Sequence, residues 1–334
     1  MYALVYTGTE KLIYKEEKDP IKKPGEVLIK VHSSGICGSD MHAYHGKDER
    51  RIPPLILGHE VSGISLDGKL KDKNVVINPL ISCENCNYCN KQREHLCPKR
   101  TMIGMSTPVK RNGGLAEFVS VPEKNVYEIP EGLDIKEAAL AEPTAVALHA
   151  VLLAEQNLKK PLSECKILIQ GAGAIGLLCG LILNNEKSSL NITISDPNKK
   201  RLSECKKYLK ANFVTPEDKS IKESSFDLIL ESVGLEVTRK QAIQSVMPGG
   251  TIVHIGLTQS FGNFDFKKLT IQEVTLVGTY CYTNIDFKNT LDILLKKRLG
   301  SLQWVEYREL KNGAKAFKEI HDGVCVSPKI VLRV

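Results

Sequence analysis

Four thiols stand close together at Cys83-x-x-Cys86-x-x-Cys89-x7-Cys97, a spacing that suits tetrahedral zinc held by four thiolates. Such a closed shell leaves no position for a substrate, so the expected role is structural. The ion would cross-link a loop that contains Asn85, Asn87 and Asn90 and little apolar material. Free buried cysteines, or a zinc ribbon on nucleic acid, are the competing readings; only one such knuckle is present, inside a much longer chain. A second set is dispersed: Cys37 in Gly35-Ile36-Cys37-Gly38-Ser39-Asp40, then His59-Glu60 after Gly58. One thiolate, one imidazole and one or two carboxylates form the mixed shell found where a catalytic zinc keeps an open position. Singly these residues are weak signals, and their combination carries the reading.

The third constellation is Gly171-Ala172-Gly173-Ala174-Ile175-Gly176, behind an expected strand and at the start of an expected helix. Gly171 allows the tight turn, Gly173 lets the backbone approach a pyrophosphate, and Gly176 lets the helix lie against the sheet, whose N–H groups then face the negative charge. Asp196 ends the next strand, where a carboxylate accepts from ribose hydroxyls and repels a 2′-phosphate, favouring NAD over NADP. Lys199, Lys200 and Arg201 follow at once, and a basic group there can tolerate the phosphate. Arg201 is kept as a cofactor candidate.

These residues need two kinds of support. The first ~140 residues read as short alternating strands with loops, clearest at 27–32 and 117–121. After about Ala141 buried strands alternate with amphipathic helices: 166–169, 191–194, 226–230, 251–255 and 275–278, with Pro248-Gly249-Gly250 read as the turn before the fourth. That alternation predicts a parallel sheet with helices on both faces. A helix at 287–299 and a closing strand at 329–334 follow. A chain of 334 residues suits two domains, or one inserted in another, with room for a cleft.

Composition excludes several classes. Hydrophobic residues at 42% and charged residues at 25% are near globular averages. The formal charge of +7 comes from lysines spread along the chain, which argues for a solvated surface and against nucleic acid. No run reaches the roughly 18 to 20 apolar residues that span a bilayer, no export signal opens the chain, and ten cysteines then suit metal ligation in a reducing cytoplasm.

Gly-Ile-Cys-Gly-Ser-Asp, Leu-Gly-His-Glu, the four-cysteine lobe, Ala141-Glu142-Pro143 and the glycine turn occur in one order along nearly the whole chain. In this the sequence resembles the zinc-containing medium-chain alcohol dehydrogenases, most closely the sorbitol, threonine and sugar-alcohol phosphate branch. The resemblance implies a GroES-like β-rich catalytic domain, residues 1–143 and 284–334, with an inserted doubly wound Rossmann domain, residues 144–283. It implies that Cys37, His59 and Glu60 are catalytic zinc ligands. Glu142 takes the fourth position directly or through water, and Asp40 orients the histidine. Ser39 and His42 form a proton relay, Glu60 stands with them in the catalytic set, and Lys329 reaches the cofactor pyrophosphate. It further implies two zinc ions per subunit, NAD, hydride exchange with a secondary alcohol such as a polyol, sugar alcohol or amino alcohol, and a homodimer or homotetramer.

The chain departs from the family in a shortened hairpin at 61–68 and in Lys73-Asn74 where Gly-Asp is usual. Two other functions stay open: a reductase of ketones or aldehydes, and a silent nucleotide-binding scaffold, which the retained ligands argue against. The loop Gly46-Lys47-Asp48-Glu49-Arg50-Arg51 is either a solvated charged loop or a place where a guanidinium meets an anionic substrate.

Overall fold

Val27, Ile29 and Val31 alternate with exposed or half-exposed neighbours along Glu26–Gly35, so one face of this strand enters a core with Val61, Val75, Ile77, Val119 and Val121. The computed structural model describes residues 1–334. It divides into two units, Met1–Glu142 with Thr283–Lys296 and Val305–Val334, and Pro143–Tyr282 with Lys297–Trp304.

In the first unit, Glu26–Gly35 lies at the centre of a seven-stranded sheet. The order runs Val126–Glu128, Asn74–Ile77, Glu60–Ser65, Glu26–Gly35, Lys329–Arg333, Val305–Glu309, with Phe118–Pro122 on the N-terminal half of Glu26–Gly35. The closing strand Lys329–Arg333 therefore belongs here, antiparallel to Ser33–Gly35 through Val331, Leu332 and Arg333. A smaller sheet joins Lys11–Glu16, Tyr2–Gly8 and Leu55–Ile56. The two-stranded ribbon of Leu80–Ile81 and Thr101–Met102 closes the base of the thiol loop.

The second unit is a six-stranded, wholly parallel sheet, ordered Asn212–Val214, Ile192–Ser195, Ile167–Gln170, Phe226–Glu231, Val246–His254, Thr275–Gly278. Its central strands are buried along their whole length, as a sheet covered on both faces requires. The order reverses at Ile167–Gln170, the strand that feeds the glycine turn, and ligands of such sheets bind at that reversal.

The structure corrects the sequence reading in several places. Asn212–Val214 is a strand that three residues are too few to announce. Pro248-Gly249-Gly250 is no turn between elements but lies within Val246–His254; the pairing register with the neighbouring strand shifts there and Gly249 has φ +71°. The helix expected at 287–299 runs Asn284–Leu295, started by Thr283 and Asp286, whose side chains cap each other's backbone N–H. The stretch Lys297–Trp304 groups with the second unit, where Leu299 and Trp304 are buried and Arg298 Nη1 donates to Glu186 Oε2 at 3.0 Å. No helix is long and apolar enough to cross a membrane.

Candidate catalytic and metal centres

Helix Gly38–Tyr44 begins at Cys37, whose backbone N–H donates to Asp40 Oδ2 at 3.0 Å. The same carboxylate places Oδ1 3.5 Å from His59 Nδ1, which leaves the other ring nitrogen for a ligand. One ligand atom each from Cys37, His59 and Glu60 lies within 4.8 Å of the others, with His59 and Glu60 buried. Strand Glu26–Gly35 supplies the space: a Cβ on Gly35 would stand 1.8 Å from Glu60 Oε2, so any other residue there displaces the carboxylate.

Asp40 has no solvent exposure. Burial alone would push its carboxyl up, but His59 and then Arg51 outweigh this and its pKa falls to about 2. The donor set is soft thiol, imidazole and hard carboxylate in one buried cluster, which fits zinc. Glu142 is also buried, in the first turn of helix Ala141–Asn157. It is not among the three clustered ligand atoms, and its charge acts on Lys329.

Lys329 overturns the expectation of a cation free to meet a pyrophosphate. It is 3% exposed, its Nζ donates to Ile36 O at 2.9 Å, and it forms an ion pair with both oxygens of Glu60. Burial lowers its pKa, but Glu60, then Cys37 and Glu142, more than compensate, and the amine stays protonated. A buried ammonium survives only with such partners, and they fully commit it inside the Cys37–His59–Glu60 cluster.

Arg51 is corrected from both earlier readings, since its side chain is neither solvated nor open to substrate: its exposure is 0%. It donates through Nε to Gly104 O at 3.2 Å and through Nη2 to Ser39 Oγ at 3.0 Å, pairs through Nη1 with Asp48 Oδ2, and stands 3.9 Å from Asp40 Oδ1. Arg50 is the outer residue of the pair and binds Asp48 Oδ1 through Nε at 3.0 Å. Ser39 and His42 share one face of their helix at a spacing of three. Burial holds the His42 imidazole below its ordinary range; Asp48 opposes this, and Arg51 reinforces it. The buried roles of Arg51 and Lys329 had no signal in local spacing.

In the thiol loop the ligand atoms of Cys83, Cys86, Cys89 and Cys97 all lie within 4.8 Å of one another. Cys83 and Cys89 sulfurs are 4.0 Å apart and those of Cys86 and Cys89 3.5 Å. Zinc–sulfur bonds of about 2.3 Å at tetrahedral angles need sulfurs about 3.8 Å apart. The backbone N–H of Asn85 brings the Cys83 thiol down to about 6, while burial and then Cys86 push Cys89 up to about 11. Four thiolates this close repel one another unless a cation sits among them.

In the second unit, Gly171 has φ +97°, and a Cβ on Gly176 would fall 1.9 Å from Gly171 O. Gly173 is the exception: nothing lies within 4 Å of its Cβ direction, so the start of helix Ala174–Lys187 is open to a ligand. Ala174 and Ile175 form the first turn of that helix, which has no side-chain cap. Asp196 Oδ2 accepts from Ala172 N at 2.9 Å and Oδ1 from Asn198 N at 2.8 Å. A carboxylate has about four acceptor sites, so room remains for hydroxyl donors. Arg201 lies in the first turn of the next helix, its backbone N–H on Asn198 Oδ1 at 3.1 Å.

A β unit with a buried Cys–His–Glu cluster, joined in one chain to a doubly wound unit with an open glycine turn, defines a zinc- and dinucleotide-dependent dehydrogenase. Comparison with known proteins agrees. The alcohol dehydrogenase GroES-like domain family matches residues 23–131, and the zinc-binding dehydrogenase family matches residues 174–296. The zinc-type alcohol dehydrogenase-like protein YdjJ of Escherichia coli is 32% identical over 93% of this chain and 92% of its own. Probable D-xylulose reductase A of Aspergillus clavatus is 29% identical over 96% and 94%. The crystal structure of galactitol-1-phosphate dehydrogenase from Escherichia coli superposes with a TM-score of 0.86 at 26% identity, covering 100% of both chains. The chain belongs to the zinc-containing medium-chain alcohol dehydrogenases, in the polyol dehydrogenase branch, and is an NAD(P)-dependent oxidoreductase.

Proposed function

We propose that this enzyme oxidises a secondary alcohol of a polyol, sugar alcohol or amino alcohol with NAD. Cys37, His59 and Glu60 would hold the catalytic zinc, with Glu142 as fourth ligand, and Cys83, Cys86, Cys89 and Cys97 a second ion. The observation that carries the reading is the buried convergence of Cys37, His59 and Glu60 with Asp40 behind the imidazole. Ion and Lys329 compete for the Glu60 carboxylate.

When bound, zinc would supply a Lewis acid that makes the alcohol proton acidic, and NAD a hydride acceptor. The chain's own residues move that proton. Arg51 occupies one acceptor site of Ser39 Oγ; the other can take the alcohol O–H while the serine hydrogen turns to His42. Depressed by burial, His42 is neutral at pH 7 and able to receive it.

The Asp196 carboxylate supports NAD over NADP. Relatives named for D-xylulose and galactitol-1-phosphate support a polyhydroxy substrate, free or phosphorylated. A relative named for D-xylulose reduction keeps reduction of a ketone as the alternative direction. The edge strand Thr275–Gly278, with Leu276 44% and Ile271 and Phe266 70% and 66% exposed, supports a homodimer or homotetramer. Ten free cysteines support a reducing cytoplasm. The proposed zinc and proton-relay residues all fall within Met1–Glu142 and the proposed nucleotide residues within Pro143–Tyr282.

The test is NAD reduction by the purified enzyme over polyols, sugar-alcohol phosphates, amino alcohols and hydroxy acids, with zinc counted per chain. Turnover with at least one polyol and two zinc ions is the expected result. Preference for NADP, or one zinc ion per chain, would contradict the assignment.

A further inference from the structure

Two imidazoles far apart in sequence meet at the surface of the first unit. His45 caps the C-terminal end of helix Gly38–Tyr44, and His321 is the last residue of helix Gly313–His321. Their Nε2 and Nδ1 atoms are 2.9 Å apart. Both rings pack edgewise on Tyr44, with centroids at 5.8 and 5.9 Å, and Tyr44 rests on Phe317. The ring orientations are therefore set by the buried layer beneath.

We propose that His45 and His321 form a third metal site, a two-imidazole clasp for a divalent transition ion such as Zn²⁺, Ni²⁺ or Cu²⁺. Metal–nitrogen bonds of 2.0–2.1 Å at cis angles between 90° and tetrahedral place the two nitrogens about 2.9–3.4 Å apart, and the observed distance lies at the lower limit. Imidazole is the ligand these ions prefer among exposed side chains. His321 Nε2 faces Glu10 Oε1 at 4.0 Å. That carboxylate favours the proton on Nε2 and so leaves Nδ1 bare, the carboxylate–histidine–metal order of known sites.

With the His321 proton on Nε2, facing Glu10, the 2.9 Å contact in the free protein is a hydrogen bond from His45 Nε2–H to His321 Nδ1. On binding, the His45 proton moves to its own Nδ1, and no proton is released. Burial, then His321 and Lys47, hold the His45 ring below the usual imidazole range despite Glu10. The other nearby cation, Lys318, is engaged by Asp322 Oδ2 at 3.0 Å. An ion here would tie the helix that carries Ser39 and His42 to the C-terminal helix. The proposal is independent of the substrate assignment.

The experiment is a calorimetric titration with Ni²⁺ at pH 7.5 on the tag-free, full-length enzyme, with resident zinc counted before and after. Wild type should take up one equivalent without losing zinc, and its melting temperature should rise. His45→Gln and His321→Gln should each weaken uptake at least about tenfold, and Glu10→Gln by less. NAD binding of the exposed His321→Gln variant serves as the folding control and should be unchanged. Absence of uptake in wild type, persistence of the equivalent in the double histidine variant, or its loss in only one single variant would overturn the proposal.

Discussion

Arg51 is the side chain whose replacement separates a buried scaffold from a substrate contact. Its guanidinium serves three acceptors in three directions: Asp48, Gly104 O and Ser39 Oγ. Arg51→Met leaves Asp48, its side chain 6% exposed, paired with Arg50 alone and leaves Gly104 O without this donor. Breaking a buried pair by removing one partner costs about 3–5 kcal/mol. At about 2–4 °C per kcal/mol for a unit of this size, the melting temperature should fall by about 10 °C. Arg51→Lys keeps the charge but not the planar fork, so one ammonium cannot reach all three acceptors. Each abandoned buried acceptor costs about 1–3 kcal/mol, and a drop of about 5 °C is expected.

Freed from Nη2, Ser39 samples other rotamers, and kcat should fall about tenfold in both variants with the KM for NAD unchanged. Scanning fluorimetry on zinc-replete protein and kcat/KM for a neutral and a phosphorylated alcohol read both effects. The reasoning fails if Arg51→Met melts like wild type while the phosphorylated alcohol alone loses kcat/KM, because the guanidinium then faces substrate.

Cys97→Ser should lower zinc from two ions to one per chain by atomic absorption and reduce thermal stability, since three thiols no longer close the shell. Gly173→Ala should fold with wild-type stability, having nothing within 4 Å of the added methyl, yet bind NAD at least about tenfold more weakly; calorimetry that finds NAD affinity intact would remove the glycine turn from the cofactor site. Gly176→Ala should lose both stability and NAD binding, as its methyl collides with Gly171 O. Glu26 is buried, which raises its pKa, but Arg111 and then Ser120 pull it below its ordinary 4.5. A depressed folded value means the stabilisation is complete above about pH 4.5 and lost as pH falls through the folded value. The difference in melting temperature between wild type and Glu26→Gln should therefore shrink from about pH 5 to pH 3.

The parts most legible in the sequence are those whose chemistry is local. Cys83, Cys86, Cys89 and Cys97 are legible because short, regular spacing lets four thiols reach one ion, and the glycine turn is legible because its glycines stand at fixed offsets. The parallel sheet follows from buried apolar runs, except at Asn212–Val214, where three residues hold too little pattern. Cys37, His59 and Glu60 are harder, for each type also occurs alone in ordinary cores, and only their order along the chain joined them.

Lys329 and Arg51 are misread for one physical reason. Long cations are almost always solvated, so the resemblance that sends Lys329 to a pyrophosphate and the local reading that sends Arg51 to water or to an anionic substrate both turn them outward. The carboxylate partner of Lys329 lies 269 residues away, at Glu60, and the partners of Arg51 run from Asp48 and Ser39 nearby to Gly104, 53 residues away, so only the fold assembles them. Both exceptions border the Cys37–His59–Glu60 cluster, Lys329 on a carboxylate of the cluster and Arg51 on the serine and aspartate beside it. Burying two cations there is costly unless carboxylates gather around them. Glu60, a proposed zinc ligand, pairs with Lys329, and Asp40, beside the imidazole of His59, stands 3.9 Å from Arg51, so a neutral substitution at Lys329 or Arg51 should disturb charge at the cluster as well as packing.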